Sequence, residues 1–261
     1  MKLHRIFAVI LRHWYNFRRN LDRLVDAFYW PVLDVVLWGL TFSVLQQQGS
    51  VTDTSVSIIL FAIILWFVVW RGQGDITVNL LEELWSENLT NLFASPLKLK
   101  EWVVGLCTIG LFKLFLTIIL TSVVAWVMYG TNFLNLGWMM VPMLSSLLLM
   151  SWAFGFMLTG LFLRYGTSVQ TLAWAGAFIL MPFSAVYYPL SFLPPWAQMI
   201  GYAIPSSYIF EGMRALMLTG VFPLEFLLKS FALDVVYLIL AMAFFISSFN
   251  AARNNGLAQL K

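Results

Sequence analysis

Apolar residues run along this chain in long blocks, and polar residues are confined to short gaps between them. A helix needs about 20 apolar residues to cross roughly 30 Å of hydrocarbon. Six blocks meet that length: 28–47, 56–80, 103–128, 138–163, 171–193 and 228–249. The pattern predicts an all-α integral membrane protein with six transmembrane helices, since helices satisfy their own backbone groups in lipid. The first 27 residues read differently. Leu3, Ile6, Phe7, Ile10, Leu11 and Trp14 recur at helical spacing against Lys2, Arg5, Arg12 and Arg18, which predicts a basic amphipathic helix along the membrane surface. Charges run on to Asp26 with no small-residue cleavage site after a short apolar core, so the segment does not read as a signal peptide.

The gaps are unequal. Those at 48–55 and 129–137 are short, and Trp126, Tyr129 and Trp138 flank the second like an interfacial belt. The gap at 81–102 carries polar residues and Ser95-Pro96, a helix-start signal because Ser caps and Pro suits the first helical position. Two short helices joined near Ala94 are expected there, with Leu89, Leu92, Phe93 and Leu97 as an apolar ridge. That ridge either lies on the membrane or fits a groove on a soluble partner. The stretch 194–227 is too apolar for a solvated loop and too broken by Pro194, Pro195, Pro205, Gly212 and Pro223 for a simple span. A re-entrant or interfacial pair of short helices fits it.

Composition agrees. Hydrophobic residues make up 61% and charged residues 10%, with a mean hydropathy of +0.85, where soluble domains carry roughly 25% charged residues. No polar block is long enough for a soluble domain, so 1–261 reads as one membrane domain. The net charge of +3 does not point to nucleic acid, because the basic residues lie between apolar blocks. Twelve of the fifteen Lys and Arg, Lys261 included, fall on one side of a six-span arrangement. Only Arg214 and Lys229 fall opposite, and Lys113 lies within a span, so both termini are expected to be cytoplasmic. Cys107 stands alone, His4 and His13 sit on the basic helix as surface or interface residues, and no side chains have metal-ligand spacing. No G-x-x-x-x-G-K-[ST] phosphate loop occurs, so any ATP chemistry must come from a second polypeptide.

Charges at membrane depth are costly, and each needs an account. Asp34, Arg71, Asp75 and Lys113 fall inside the predicted spans. Asp34 is expected to pair with Lys113 or Arg71, as a structural pair or as the border of the cytoplasmic entry to a substrate path. Arg71-Gly-Gln-Gly-Asp75 interrupts an apolar run and marks a possible break at Gly72 and Gly74. Ser151, Gly155 and Thr159 form a small-residue stripe that lets helices approach closely. Trp66, Trp152, Trp174, Tyr187 and Tyr188 read mainly as packing or anchoring residues.

Two stretches, LEELWSENLTNLFASPLKLKEWVVG and IPSSYIFEGMRALMLTG, resemble motifs of the permease subunits of ABC-2 type exporters, the group that moves drugs, lipo-oligosaccharides and polysaccharides. The resemblance implies an interface helix at 1–20 and a coupling helix near 88–97. Glu87, Leu89, Asn91, Leu92, Phe93, Ser95, Pro96 and Leu97 would meet a cytoplasmic ATP-binding-cassette subunit. It also implies an extracellular re-entrant pair with Tyr208, Glu211 and Arg214 at its gate. The implied protein is non-catalytic and resides in a prokaryotic plasma membrane, as a homodimer or beside a homologous permease. ATP and Mg would bind the partner rather than this chain. The competing reading is a stand-alone carrier or channel, which would usually show internal repeats; none is convincing here.

Overall fold

The computed structural model describes residues 1–255, and every regular element among them is helical. Lys261, which entered the charge count, lies outside the described residues. Five helical segments are long and apolar enough to cross a bilayer: Leu21–Gln47, Asp53–Trp85, Leu99–Tyr129, Phe133–Val169 and Leu224–Asn254.

Helix α1 (Leu3–Arg19) buries Ile6, Val9, His13 and Phe17, spaced three and four apart, while Leu3 and Phe7 are exposed. At Gly105 any Cβ would press on Val9, so a glycine lets α1 lie close to the long helix α6 (Leu99–Tyr129). The packed face shares Ile6 with the expected set of Leu3, Ile6, Phe7, Ile10, Leu11 and Trp14 but turns toward Val9, His13 and Phe17, leaving Leu3 and Phe7 exposed. Burying residues of this size stabilises by about 1.5–3 kcal/mol each, enough to dock α1 on protein. Asn20 is extended and its side chain accepts from Asp22 N, starting the short α2 (Leu21–Leu24). A π-helical turn, Val25–Tyr29, then leads into α3 (Trp30–Gln47).

Helix α4 (Asp53–Trp85) is the axis of the bundle, packed by α3, α6 and α7 (Met140–Tyr165). Residues 59–69 are buried on every side, as an all-round apolar helix should be at the centre of a membrane bundle. No break occurs at Gly72 and Gly74. The helix continues, and a Cβ at Gly72 would collide with Ser151 Oγ. Gly155 faces the carbonyl of Gln73, and Ser151, Gly155 and Thr159 are all buried, so the small stripe on α7 seats α4.

The run 171–193 does not form one crossing helix. It gives α8 (Leu172–Leu180), a 3-10 turn at Met181–Phe183 and an irregular segment through Ala185, which has φ 56. Twelve helical residues, Leu172–Phe183, reach only about 18 Å at 1.5 Å per residue. Pro182 and Pro189 remove the donors a longer helix would need. Beyond this come α9 (Pro195–Ala203) and α10 (Pro205–Thr219), each opened by proline at its first position, and then α11 (Leu224–Asn255). The short paired helices fit the pattern read from 194–227, and α10 packs against α11, α7 and α4.

Between α4 and α6 the chain also departs from expectation. Residues 81–85 extend α4 rather than forming a separate helix. Ser95 and Pro96 follow α5 (Leu89–Ala94) as its stop, not as the start of the next helix, which begins at Leu99.

Candidate functional site

Where α4 leaves its all-apolar stretch, Arg71, Gln73, Asp75, Thr77 and Asn79 are buried together. Asp75 Oδ1 accepts from Lys113 Nζ at 2.9 Å and from Arg71 Nη2 at 3.5 Å. Arg71 also pairs with Asp26, carried by the π-helical turn, and the Thr117 hydroxyl donates to Ala27 O at 3.1 Å. The turn therefore brings a half-exposed carboxylate from the first long segment to the edge of the cluster. Asn79 donates to Asp75 O, Gln73 Nε2 donates to Ala173 O at 2.9 Å, and Arg23 pairs with Glu82. Lys113 is 1% exposed and lies 5.2 Å from the Phe17 ring of α1. Three predicted members, Arg71, Asp75 and Lys113, are thus brought together.

Asp34 is not part of this cluster. It lies on the exposed face of α3 and makes no ion pair among the described residues. The place beside Arg71 that the sequence assigned to Asp34 is taken by Asp26, two turns earlier; a helical repeat counts charges but does not choose between faces. Arg23, Asp26 and Glu82 had a signal in their sequence, namely charges bordering a span, yet their partners are 45 and more positions away.

A cavity of about 390 Å³ opens beside the cluster, lined among others by Arg23, Asp26, Arg71, Trp70, Trp85 and Trp174. Trp85 and Trp174 stack at 6.2 Å and 9°, and Trp85 Nε1 donates to Gln170 Oε1 at 2.8 Å. Arg71 Nε and Asp75 Oδ2 are buried without a partner among the described residues. The cluster therefore keeps one donor and one acceptor unfilled among the described residues. A second, apolar cavity of about 660 Å³ lies between α7, α8, α9 and α11. Helix α8 contributes to both walls, Trp174 to the polar cavity and Leu180 to the apolar one.

At the α1 end the linker 86–98 is held tightly. Asn88 N donates to Glu83 O at 3.0 Å and its amide to Glu83 Oε2 at 2.9 Å, while Arg12 of α1 pairs with Glu83 at 2.7 Å. Glu101 accepts from Lys2 N at 2.7 Å and Lys98 N at 3.1 Å, and pairs with Arg5 at 3.5 Å. The apolar ridge turns inward, contrary to expectation. Leu89 is buried, Phe93 packs on Phe249 at 4.7 Å and Trp102 at 6.1 Å, and Leu92 and Leu97 line a small groove with α1. Packing on its own bundle hides apolar area that the sequence alone left unpartnered. The exposed edge consists of Glu87, Thr90, Asn91, Ser95 and Pro96. His13 is buried rather than at the surface, and its pKa is pushed down to about 3, first by burial and then by the charges of Lys113, Arg12 and Arg23.

At the opposite end Glu211 Oε1 accepts from Leu190 N at 2.6 Å. Arg214 donates to Ala185 O and, at 2.8 Å, to Val186 O, and lies 3.8 Å from Glu211. Both clamp the irregular segment after α8 to α10. The Tyr208 hydroxyl donates to Tyr202 O at 2.9 Å, tying α10 to α9. The sequence reading missed Asp234, a carboxyl buried in α11, because one acid in an otherwise apolar run carries no spacing that reveals its neighbours.

Comparison with known families matches residues 4–218, from α1 to the end of α10, to the ABC-2 type transporter. No curated protein matches the chain.

Proposed function

The chain belongs to the ABC-2 type transporter family, which covers residues 4–218 of its 261, and from that membership we propose an ATP-driven exporter in which this permease works with a separate ATPase. The observation that carries the reading is the linker 86–98. It joins the ends of α4 and α6, two long helices bridged by the Asp75 to Lys113 bond. A partner pressing on the exposed edge at Glu87, Asn91, Ser95 and Pro96 moves both helices, because Glu83 and Glu101 fix the linker to their ends. The shared ion cluster then takes the strain. A bonded link between two rigid helices is a physical route by which a push becomes rearrangement deep in a bundle.

We take the α1 end as cytoplasmic, supported by the Lys and Arg crowded there, in a prokaryotic plasma membrane. An amphipathic or lipid-linked substrate suits a polar cavity and an apolar one that share α8. ATP and Mg belong to the partner. Tyr208, Glu211 and Arg214 would steady the external exit.

The test is to purify the tagged protein in mild detergent, identify co-purifying chains and measure ATPase activity. The control is Asn91→Arg with Thr90→Arg on the exposed edge; Leu92→Glu would instead disturb the groove against α1. A stoichiometric ATPase in the wild type, lost from a control of unchanged helicity, is the expected result. A folded protein that never brings an ATPase returns the weight to a stand-alone carrier.

A further inference from the structure

Asp234 sits in α11 with no solvent contact and no cation bonded to it among the described residues. Its surroundings form a short chain of oxygens between three helices. Asp234 Oδ2 is 2.6 Å from Ser146 Oγ of α7, Ser146 Oγ is 2.7 Å from Ser230 Oγ of α11, and Ser230 Oγ donates to Pro205 O of α10 at 2.9 Å. Both serines are fully buried, and Asp234 Oδ1 has no partner.

Counting hydrogens decides how this chain is wired. Three contacts between oxygens need three protons. If Asp234 were ionised, only the two serine hydroxyls would supply protons. Ser146 would donate to the carboxylate, and Ser230 would have one proton for both Ser146 and the carbonyl. One contact of 2.7 or 2.9 Å would then set lone pair against lone pair in an apolar core. With the acid protonated every contact is filled in one direction: Asp234 donates to Ser146, Ser146 to Ser230, and Ser230 to Pro205 O. An unpaired buried carboxylate would also carry a large desolvation cost.

We infer that Asp234 is a neutral carboxylic acid whose proton completes a hydrogen-bonded latch holding the start of α10 to the α7 and α11 pair. It is a positioning residue for the external helices. Ionisation takes one proton out of the chain, so the Ser230 hydroxyl must choose between Ser146 and Pro205 O and the hold on α10 weakens. The charged groups of the neighbouring elements are engaged elsewhere: Glu225 and Lys229 of α11 pair with each other at its exposed start, Glu211 and Arg214 of α10 face the 185–190 segment, and Arg164, the only charged residue of α7, bonds Ser248 at its far end. The Tyr237 hydroxyl of α11 donates to Ala203 O, and those of Tyr202 and Tyr208 lie in the exposed part of α9 and α10. Arg71 and Asp75 of α4 bond within the cluster at the other end.

Infrared difference spectra of purified wild type minus Asp234→Asn test the protonation, and hydrogen exchange of residues 205–219 tests the latch. At neutral pH the difference should contain the carbonyl stretch of an un-ionised acid, which vanishes as the pH is raised. Exchange in 205–219 should match between wild type and Asp234→Asn at neutral pH, because the amide donates in the acid's place. At alkaline pH the wild type should exchange roughly five- to tenfold faster than Asp234→Asn, the loss of about one buried hydrogen bond. Asp234→Leu leaves two hydroxyl protons for the two remaining contacts, Ser146 to Ser230 and Ser230 to Pro205 O, so its exchange should follow that of Asp234→Asn and show none of the wild type's alkaline rise. A neutral-pH difference containing only carboxylate bands overturns the proposal, and so does equal exchange in wild type and Asp234→Asn across the pH range. Neither readout needs transport or an ATPase, so failure here is separate from failure of the proposed function, and misfolding of Asp234→Leu leaves the other two comparisons decisive.

Discussion

Asp75 shows how a membrane bundle tolerates charge. Its carboxylate meets Lys113 and Arg71, and Arg71 is shared with Asp26, so no member of the cluster faces lipid alone. Removing one partner strands the other, at about 3–5 kcal/mol for a buried pair. Asp75→Leu should therefore sharply lower thermal stability and yield in detergent, whereas Asp75→Leu combined with Lys113→Met should recover most of the loss. A double variant as unstable as the single would show that Lys113 does not depend on Asp75. His13 gives a second test of sign. The docked imidazole is held near pKa 3, while a released one titrates near 6.5. Below about 6.5 the undocked state binds a proton that the docked state refuses, so docking of α1 is full above 6.5 and weakens as the pH falls toward 3. Proteolysis within residues 3–19 should accelerate over that window in the wild type. Because Glu82, Glu83 and Glu101 hold α1 too, the effect of His13 is the part abolished in His13→Asn; identical profiles would remove it.

Among the elements, those governed by local pattern were readable and those governed by partners were not. The apolar blocks marked four of the five long helices to within a few residues and the fifth, Leu21–Gln47, less closely, because the π-helical turn at Val25–Tyr29 lets charged residues enter the same helix. The short pair α9 and α10 followed from its prolines. The run 171–193 misled because composition measures greasiness, not continuity; Pro182 and the positive φ at Ala185 stop the helix. Ser95-Pro96 misled because the same dipeptide that opens a helix also follows one. Inward packing of Leu89 and Phe93 depends on Trp102 and Phe249, contacts that no local window contains. Glu211 stood out by its motif, but its hydrogen-bond partner lies twenty-one residues away. Glu211→Gln keeps an acceptor for Leu190 N–H and should leave hydrogen exchange at 184–194 nearly unchanged. Glu211→Leu orphans that donor, at about 1–3 kcal/mol, and should raise exchange there while α4 and α6 stay protected. Equal exchange in the two variants would mean that Arg214 alone holds the segment.

For the whole molecule, the outer surfaces of α3 and α6 are informative by contrast. On α6 the exposed positions beyond its first turn include Val104, Phe112, Phe115, Ile119, Val123, Trp126, Val127 and Met128, with Thr108 bonded to its own helix, a surface suited to lipid. On α3 the exposed stripe of Trp30, Leu37, Leu40 and Val44 carries Asp34 in its midst. A carboxylate without a partner costs several kcal/mol in hydrocarbon, so polar protein or water is expected along the stripe rather than lipid, and the expected cover is a second permease copy seated along α3. In a Cys107→Ser background, Leu37→Cys in native membranes should cross-link to a dimer, while Ile119→Cys on α6 should not. Leu37→Cys should also be shielded from lipid-soluble maleimide relative to Ile119→Cys. If the two positions react alike with the lipid-soluble reagent and neither cross-links, α3 faces the bilayer and the dimer forms elsewhere. If Leu37→Cys instead reacts fastest with a membrane-impermeant reagent, water fills the space along α3, and Asp34 lines an aqueous path rather than a subunit contact.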